Sequence, residues 1–554
     1  MDTPRKELER RRTQLYTQRD QWMPRYQAIS EHCCPYRGVF NNIEPNRGDR
    51  RDQKILNSTP CRALRTMASG LHSGMASPSS PWFKLSTRDK GLAQRYDVRR
   101  WLDEVQRRMY SVFQGSNFYN ALYSLYYELG AFGVGAMHIS EDYQDVIRCR
   151  TFTVGEYALG TAADLRVDAL YRTVWMTALQ MFRGFGEDIV SARIRDLVRN
   201  KPEAWVYCYH AIEHNDSRIQ LPETKNRAYR DIYWESSPDT EDKFLRVSGW
   251  NEQPFCAPRW ETVGADVYGN GPGDMSIGDS KMLMRQEEDK LSGLDRVVNP
   301  PLAIPGSRRG QDVNALPGGI TYYDETAQAK PGSLYQINLP LSELRQTIAA
   351  TEEDINQTFF VDLFMMLAMS DLRDITAREV AERHEEKLLM IGPALDNMQT
   401  ELFDPSIGRT FAIMNRLTLA GGEPMIPTPP ESLQGEEIQV EYVSILAQAQ
   451  KMVGATAIEQ FASFVGGLAG VKPEVIDKLD ADEAVDQYGD IIGVPAAIVV
   501  PDEQVAKIRA ARVKEQAAAK AAESAMVAAQ GAKTLSETDM SSNNALTALM
   551  GGGK

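Results

Sequence analysis

Positive charge is in short supply in this chain. The 62 lysines and arginines stand against 76 aspartates and glutamates, a formal net charge of -14. That balance argues against a protein that clamps nucleic acid through a basic surface. It does not exclude a passage through which DNA slides, because a sticky basic lining would retard transit. Long apolar runs are missing too. The longest, 359–369, is interrupted by Asp362 and is too short to span a bilayer, so no membrane association is expected. Residues 1–20 are highly charged and contain no apolar signal core, which points to synthesis and assembly in a cytoplasm. The six cysteines (Cys33, Cys34, Cys61, Cys149, Cys208 and Cys256) form no CxxC pair, and reduced structural thiols are the default. No GxxxxGK[ST] occurs, the one Gly-Lys pair being Gly553-Lys554, which argues against a P-loop ATPase. No GxSxG surrounds any serine, and no internal repeat is present.

Several short motifs invite chemistry and are better explained without it. Gly269-x-Gly271-x-Gly273 has the look of a phosphate-cradling loop, but Pro272 lacks an N–H and the spacing is wrong. Cys208, His210 and His214 lie close in sequence, and His32 adjoins Cys33 and Cys34. Zinc needs four well-placed ligands, and Cys208 and His210 on one strand face read as ordinary packing. The carboxylate pairs Glu352-Glu353 and Glu385-Glu386 fall on helix surfaces and read as solvated. No catalytic residue, metal site or cofactor is expected.

The 554 residues suffice for two to four domains. Residues 1–140 read as mostly helical, with apolar stripes Leu102/Val105/Met109/Val112 and Leu122/Leu125/Leu129, stopped by Gly130, Gly133 and Gly135. Residues 144–270 turn β-rich: 146–154, 165–176 and 204–211 read as strands, 232–235 and 244–250 as a hairpin. Helices are expected at 177–183 and 187–200. Tyr268-Gly269-Asn270-Gly271-Pro272-Gly273-Asp274 closes this α+β region, and Ser276 opens a helix to about Arg296. Residues 297–341 carry six prolines and several glycines, so this stretch reads as a projecting loop, with short strands at 322–323 and 334–337.

Ser342 is expected to cap a second long helix. Leu344, Ile348, Ile355, Phe359, Leu363 and Met366 form one apolar stripe over roughly 28 residues, roughly 40 Å. Residues 370–374 break it, and the capping box Thr376-Ala377-Arg378-Glu379 restarts it. Val380, Leu388, Ile391, Leu395, Met398 and Leu402 give the next buried face, with a kink expected at Pro393. Another short helix and a Pro-rich exit follow in 405–435, then short helices in 440–500, an Ala-rich helix over 505–530 and a disordered end from 531. Residues 342–400 hold twelve acidic against five basic residues. They form either a solvated face or a negative wall that repels phosphates, with Arg373 as a cation in the inter-helix loop.

Three segments carry a family resemblance. The first is Asn57-Ser58-Thr59-Pro60 running to Gly70-Leu71-His72-Ser73-Gly74-Met75 and Pro81-Trp82-Phe83-Lys84-Leu85. The second is Tyr268 to Gly273. The third is Thr376 to Arg383, with Ile391-Gly392-Pro393 and Leu402-Phe403-Asp404-Pro405. In this order and spacing the chain resembles the portal (head-to-tail connector) proteins of short-tailed, podovirus-type phages over roughly residues 5–430. The resemblance implies a mainly α, α+β portal fold in a ring of twelve copies at one capsid vertex, a virion component assembled in the host cytoplasm. It implies a channel for packaging and ejecting double-stranded DNA. The implied partners are the terminase large subunit, the major capsid and scaffolding proteins, and a tail adaptor. Mapped onto this chain, the wing is 1–274, the first stem helix 275–296, the clip 297–341 and the second stem helix 342–369. The tunnel loop is 370–376, a kinked helix returning to the wing 377–439, the crown 440–505 and a C-terminal helix and tail 506–554. Asp371, Leu372, Arg373 and Asp374 would face DNA. Leu344, Ile348, Ile355, Phe359, Leu363 and Met366 would pack the stem against neighbouring copies. Arg308, Arg309, Gln311, Asp312 and Asn314 would sit at the docking tip. The alternative is another virion structural protein, an internal core or tail component without a channel.

Overall fold

The computed structural model describes residues 3–298, 302–303, 332–333, 340–369, 389–446, 461–468, 472, 482–485 and 502–537, less 41–44, 47, 94, 216–220, 225, 236–242, 419–421, 434, 437 and 445. It divides into two compact units at Val453/Gly454.

The first unit is α+β. Its larger sheet is antiparallel, in order β4 (Tyr157–Thr161), β5 (Val167–Thr177), β6 (Trp205–His214), β7 (Tyr229–Trp234) and β8 (Arg246–Trp250). Side chains alternate across a strand, and each face has its own cover. Ala169 and Tyr171 on β5 and Ala211 on β6 point to one side, where they meet Leu8 of α1 (Pro4–Asp20), Ile232 and Trp234. Val174, Val206 and Cys208 point to the other and meet Met181 of α7 (Ala178–Phe185) and Ile194 of α8 (Ala192–Asn200). α7 starts with a capping box between Thr177 and Gln180. α8 starts at Ala192 rather than 187, because Ser191 supplies the side chain that accepts from the Ile194 amide.

Polar groups tie this sheet together. Glu213, fully buried, accepts from Tyr171 Oη at 2.6 Å and from Arg230 Nε at 2.7 Å, and Arg11 of α1 lies 2.9 Å away. His210 accepts at Nδ1 from Arg172 Nε (2.8 Å) and donates from Nε2 to Asp231 (2.8 Å). Both ring nitrogens are therefore committed to packing partners, and burial holds the imidazole neutral, with a pKa pushed down to about 4.

Helices α2 (Met23–Cys33), α3 (Thr59–Met75), α5 (Tyr96–Gly115) and α6 (Phe118–Phe132) form the helical part, with α4 (Lys90–Ala93) a single turn. α6 ends at Phe132, where the Gly133 amide donates to the Leu129 carbonyl (2.9 Å); Gly130 lies inside the helix. A smaller sheet, β3 (Val146–Phe152), β2 (Ala136–Asp142) and β9 (Phe255–Cys256), follows it. Trp82 sits between Phe118 and Phe403, and the amides of Trp82 and Phe83 both donate to Tyr110 Oη at 2.8 Å. β1 (Phe83–Thr87) pairs with β12 (Ile438–Tyr442), Phe83 opposite Tyr442. This pairing carries the first unit past residue 440, where a helical region was expected to begin.

α9 spans Pro272–Val298. It opens four residues before Ser276 because Pro272 suits a first helical turn. The glycine-rich stretch ahead of it is a helix-crossing device, not a phosphate cradle. A Cβ at Gly273 would overlap the Ala131 carbonyl oxygen of α6, so only glycine lets the two helix ends meet. Gly271 N donates to Asp274 Oδ2 at 2.9 Å.

α10 (Leu341–Thr358) and α11 (Val361–Met369) replace the single long helix expected from 342. The ladder breaks where Phe360 takes φ +53°, between the buried Phe359 and Phe364. Leu341 rather than Ser342 opens α10, without a side-chain cap. α12 runs over 389–398 through Pro393 without interruption. The departure from α-helical spacing comes at a π-helical turn, Gln399–Phe403, before α13 (Asp404–Arg416). Pro405 has no N–H for the Glu401 carbonyl, so the ladder shifts there. In the second unit 461–468 and 482–485 are helical, and a final helix covers Asp502–Glu537, which takes 531–537 out of the expected disordered end.

Glu128 of α6 is fully buried, and burial pushes its pKa up to about 7 despite Arg37 at 3.3 Å. A folded-state pKa above the unfolded one means the contribution is complete below about pH 4.5 and is lost as pH rises towards 7. The melting temperature of Glu128→Gln relative to the parent is expected to climb between about pH 5 and pH 8. A difference that stays flat across that range would show that Glu128 is already ionised in the fold.

Candidate functional site

The helices assigned to the stem from sequence are α9, α10 and α11. α10 lies on α9, and both α10 and α11 lie against α3. At 100° per residue, Ile348, Thr351, Ile355 and Phe359 share one side of α10, and all four are buried. Glu343, Gln346, Ala350, Glu353, Asp354 and Gln357 occupy the opposite side, and all are exposed. That side carries three carboxylates and no cation among the described residues; Arg345 lies on the flank.

The buried side is closed by the chain itself. Leu363 and Phe364 of α11 are fully buried, and a Cβ at Gly70 of α3 would overlap Phe364. Ile348, Ile355, Phe359 and Leu363, expected from sequence to pack on neighbouring copies, are buried within their own chain, where α10 lies against α9 and α3 and α11 against α3. Leu344 is half-buried. Met366 lies on α11, its side chain outside the described residues.

Asn57 fastens these helices together. Its Nδ2 donates to Glu287 of α9 (3.1 Å) and to Glu352 of α10 (2.8 Å). Its Oδ1 accepts from the Thr59 amide (3.0 Å) and hydroxyl (2.8 Å) at the start of α3. Every hydrogen-bonding position of this amide that points inward is used. Gln286 Nε2 adds a bond to Thr351 Oγ1 at 3.2 Å. Asn57, Gly70 and Phe364 were not picked out as site residues from sequence; the motifs containing Asn57 and Gly70 were visible, but their partners lie some 230 to 300 positions away.

α12 and α13 are held to the sheets by charge. Ile391, Leu395, Met398 and Leu402 are buried as their spacing predicts; Val380 and Leu388 lie outside the described residues. Arg259 forks onto Glu401 in the π-turn (3.1 Å from Nε). Arg409 and Arg416 both reach Glu252 at 2.5 Å, and Arg409 lies over the Trp250 ring.

Asp371, Leu372, Arg373 and Asp374, the docking residues Arg308, Arg309, Gln311, Asp312 and Asn314, and the expected strands at 322–323 and 334–337 lie outside the described residues, as does the capping box at 376–379. The described ends of the 297–341 stretch, β10 (Leu302–Ala303) and β11 (Gly332–Ser333), pair antiparallel. Among the described residues no cluster of three His, Cys, Asp or Glu could hold a metal ion, and no helix is long and apolar enough to cross a membrane.

Leu363→Asp would place a carboxylate where a leucine is fully buried in its own chain. The expected cost is about 4 kcal/mol or more, read as a large fall in melting temperature and rapid proteolysis of the unassembled chain. An unassembled variant as stable as the parent would return Leu363 to an intersubunit role.

The chain is 41% identical to the "Portal protein" of Salmonella phage epsilon15 over 554 residues, covering 99% of this chain and 98% of that protein. It is 40% identical to the "Probable portal protein" of Bordetella phage BPP-1 over 550 residues, 98% of each. A chain from the neck of an empty gene transfer agent particle aligns at a TM-score of 0.34 and 12% identity, over 79% of this chain and 90% of that one. The model of the bacteriophage head to tail connecting proteins matches residues 5–499, and the chain belongs to that family.

Proposed function

We propose that this chain is the subunit of a portal ring, twelve copies around an axial channel at one capsid vertex, through which double-stranded DNA is packaged and later ejected. The observation that carries this reading is the near end-to-end similarity, at about two residues in five, to a phage portal protein. The physical support is the α9/α10 pair. It is fastened to the main body through Asn57 and presents a carboxylate-bearing, cation-free side on α10. Facing an axis, that side would keep a polyanion centred by repulsion and leave it free to slide.

In this reading residues 1–274 with 404–442 form the wing; the pairing of β12 with β1 supports including 438–442. α9 with α10 and α11 forms the stem, and 299–340 the clip. Residues 370–376 form the tunnel loop, with Arg373 touching phosphate. Residues beyond 442 form the crown and the C-terminal helix. The clip tip around Arg308, Arg309, Gln311, Asp312 and Asn314 receives the packaging motor's large subunit and then a tail adaptor. Capsid and scaffolding proteins meet the wing. The protein acts structurally, without catalysis.

Class-averaged negative-stain images of the purified protein should show rings with an axial hole; a monomer or an open filament at high concentration would end the ring reading. The channel reading has its own test in packaged genome length per particle. Glu343→Lys, Glu353→Lys and Asp354→Lys together should assemble but package less DNA, with a deficit that shrinks as salt rises. Arg373→Ala should assemble and retain less DNA. Parent-like genome length in both variants across salt would mean that the acidic side is merely solvated.

A further inference from the structure

One basic feature of this acidic protein is a row of arginines. It lies on α5, whose solvent side repeats arginine: Arg95, Arg99 and Arg100, then Arg107 and Arg108. A groove of about 540 Å³ opens between this helix and Pro427, lined by Tyr96, Arg99, Arg100, Asp103, Glu104, Arg107 and Arg108.

The second wall is built, not draped. Trp101 Nε1 donates to the Pro427 carbonyl at 2.8 Å, Arg108 Nη1 to the Met425 carbonyl at 2.7 Å, and Ser432 Oγ to Asp97 at 3.2 Å. The charges within it are unequally used. Glu104 is taken by Arg107 and Arg108, and Arg95 lies 3.6 Å from Asp97. Arg99 and Arg100 have no acidic partner among the described residues. Tyr96 stands 79% exposed at the rim, so a large ring and two unspent guanidinium groups face the same opening.

We propose that this groove is a docking site for an extended acidic segment of a partner protein, carboxylates on Arg99 and Arg100 and an apolar side chain between Tyr96 and Pro427. Arginine forks suit carboxylates in pairs, and arginine stems, a tyrosine ring and a proline offer apolar wall between the charges. A nucleic-acid backbone fits less well, because its phosphates recur at every nucleotide while Asp103 and Glu104 interrupt the arginine row. The inference does not depend on the ring or channel reading.

The test uses the full chain and a short fluorescein-labelled peptide of repeating Glu-Glu-Leu, read by fluorescence anisotropy. Labelled single-stranded and duplex oligonucleotides run alongside. The parent should bind the peptide saturably, more weakly as salt rises. The double variant Arg99→Glu/Arg100→Glu should lose about tenfold or more in affinity with an unchanged melting curve. Arg148→Glu/Arg166→Glu, which alters the same net charge at exposed positions elsewhere, should bind like the parent. Three results would overturn the proposal: no peptide binding by the parent, equal loss in both variants, or oligonucleotide binding that is tighter than peptide binding and abolished by Arg99→Glu/Arg100→Glu.

Discussion

The close seating of three helices on α3 is the constraint on which the rest of this architecture depends. α9, α10 and α11 are contributed by chain segments far from α3 in sequence, and they reach it through two kinds of contact. α11 arrives by steric fit, Phe364 against the bare backbone at Gly70. α9 and α10 arrive through one amide, Asn57, whose two donors go to one carboxylate on each helix. An amide is suited to that junction. A carboxylate there would be a third negative charge beside Glu287 and Glu352, and an apolar side chain would remove the one donor group that the two carboxylates share. The helix breaks at Phe360 (φ +53°), between buried Ile355 on α10 and Phe364 against Gly70.

Buried charge has a second task, fastening elements that hydrophobic contact alone would let slide. Glu213 with Arg230 and Arg11, Arg259 with Glu401, and Glu252 with Arg409 and Arg416 each join segments distant in sequence. Such pairs add little net stability once desolvation is counted. They do penalise every arrangement in which a charge would be buried alone, which fixes how α1 and α13 sit on the sheets. The exposed carboxylates of α10 are a different population, in water and without cations facing them. The reading of a channel wall rests on this separation between charges used for fastening and charges left outward.

Amphipathic spacing made much of the fold legible. The stripes of α5 and α6, four of the five strands of the large sheet, the last two as a hairpin expected at 232–235 and 244–250, and the buried side of α12 follow from local pattern, because each period survives whatever the element packs on. Family membership was legible too, through the order of three weak motifs. The candidate site was legible only in outline. The apolar stripe of α10 and α11 was visible, but a stripe states that something covers it without stating what.

The sequence by itself therefore determined element types, the acidic outward side of α10, and the two glycine-bearing motifs. Tertiary structure alone decided what those features are for. Gly273 is glycine because the Ala131 carbonyl lies where its side chain would be, and Gly70 because Phe364 does. The stripe faces α3 and α9 of the same chain, and the helix turns at Phe360 where local pattern continues. β12 returns to β1 across more than 350 positions. The physical reason is common to all of them. Periodicity is written by a residue's immediate neighbours, whereas close approach, partner identity and a break in a favourable helix are set by groups hundreds of positions away, which local pattern does not encode.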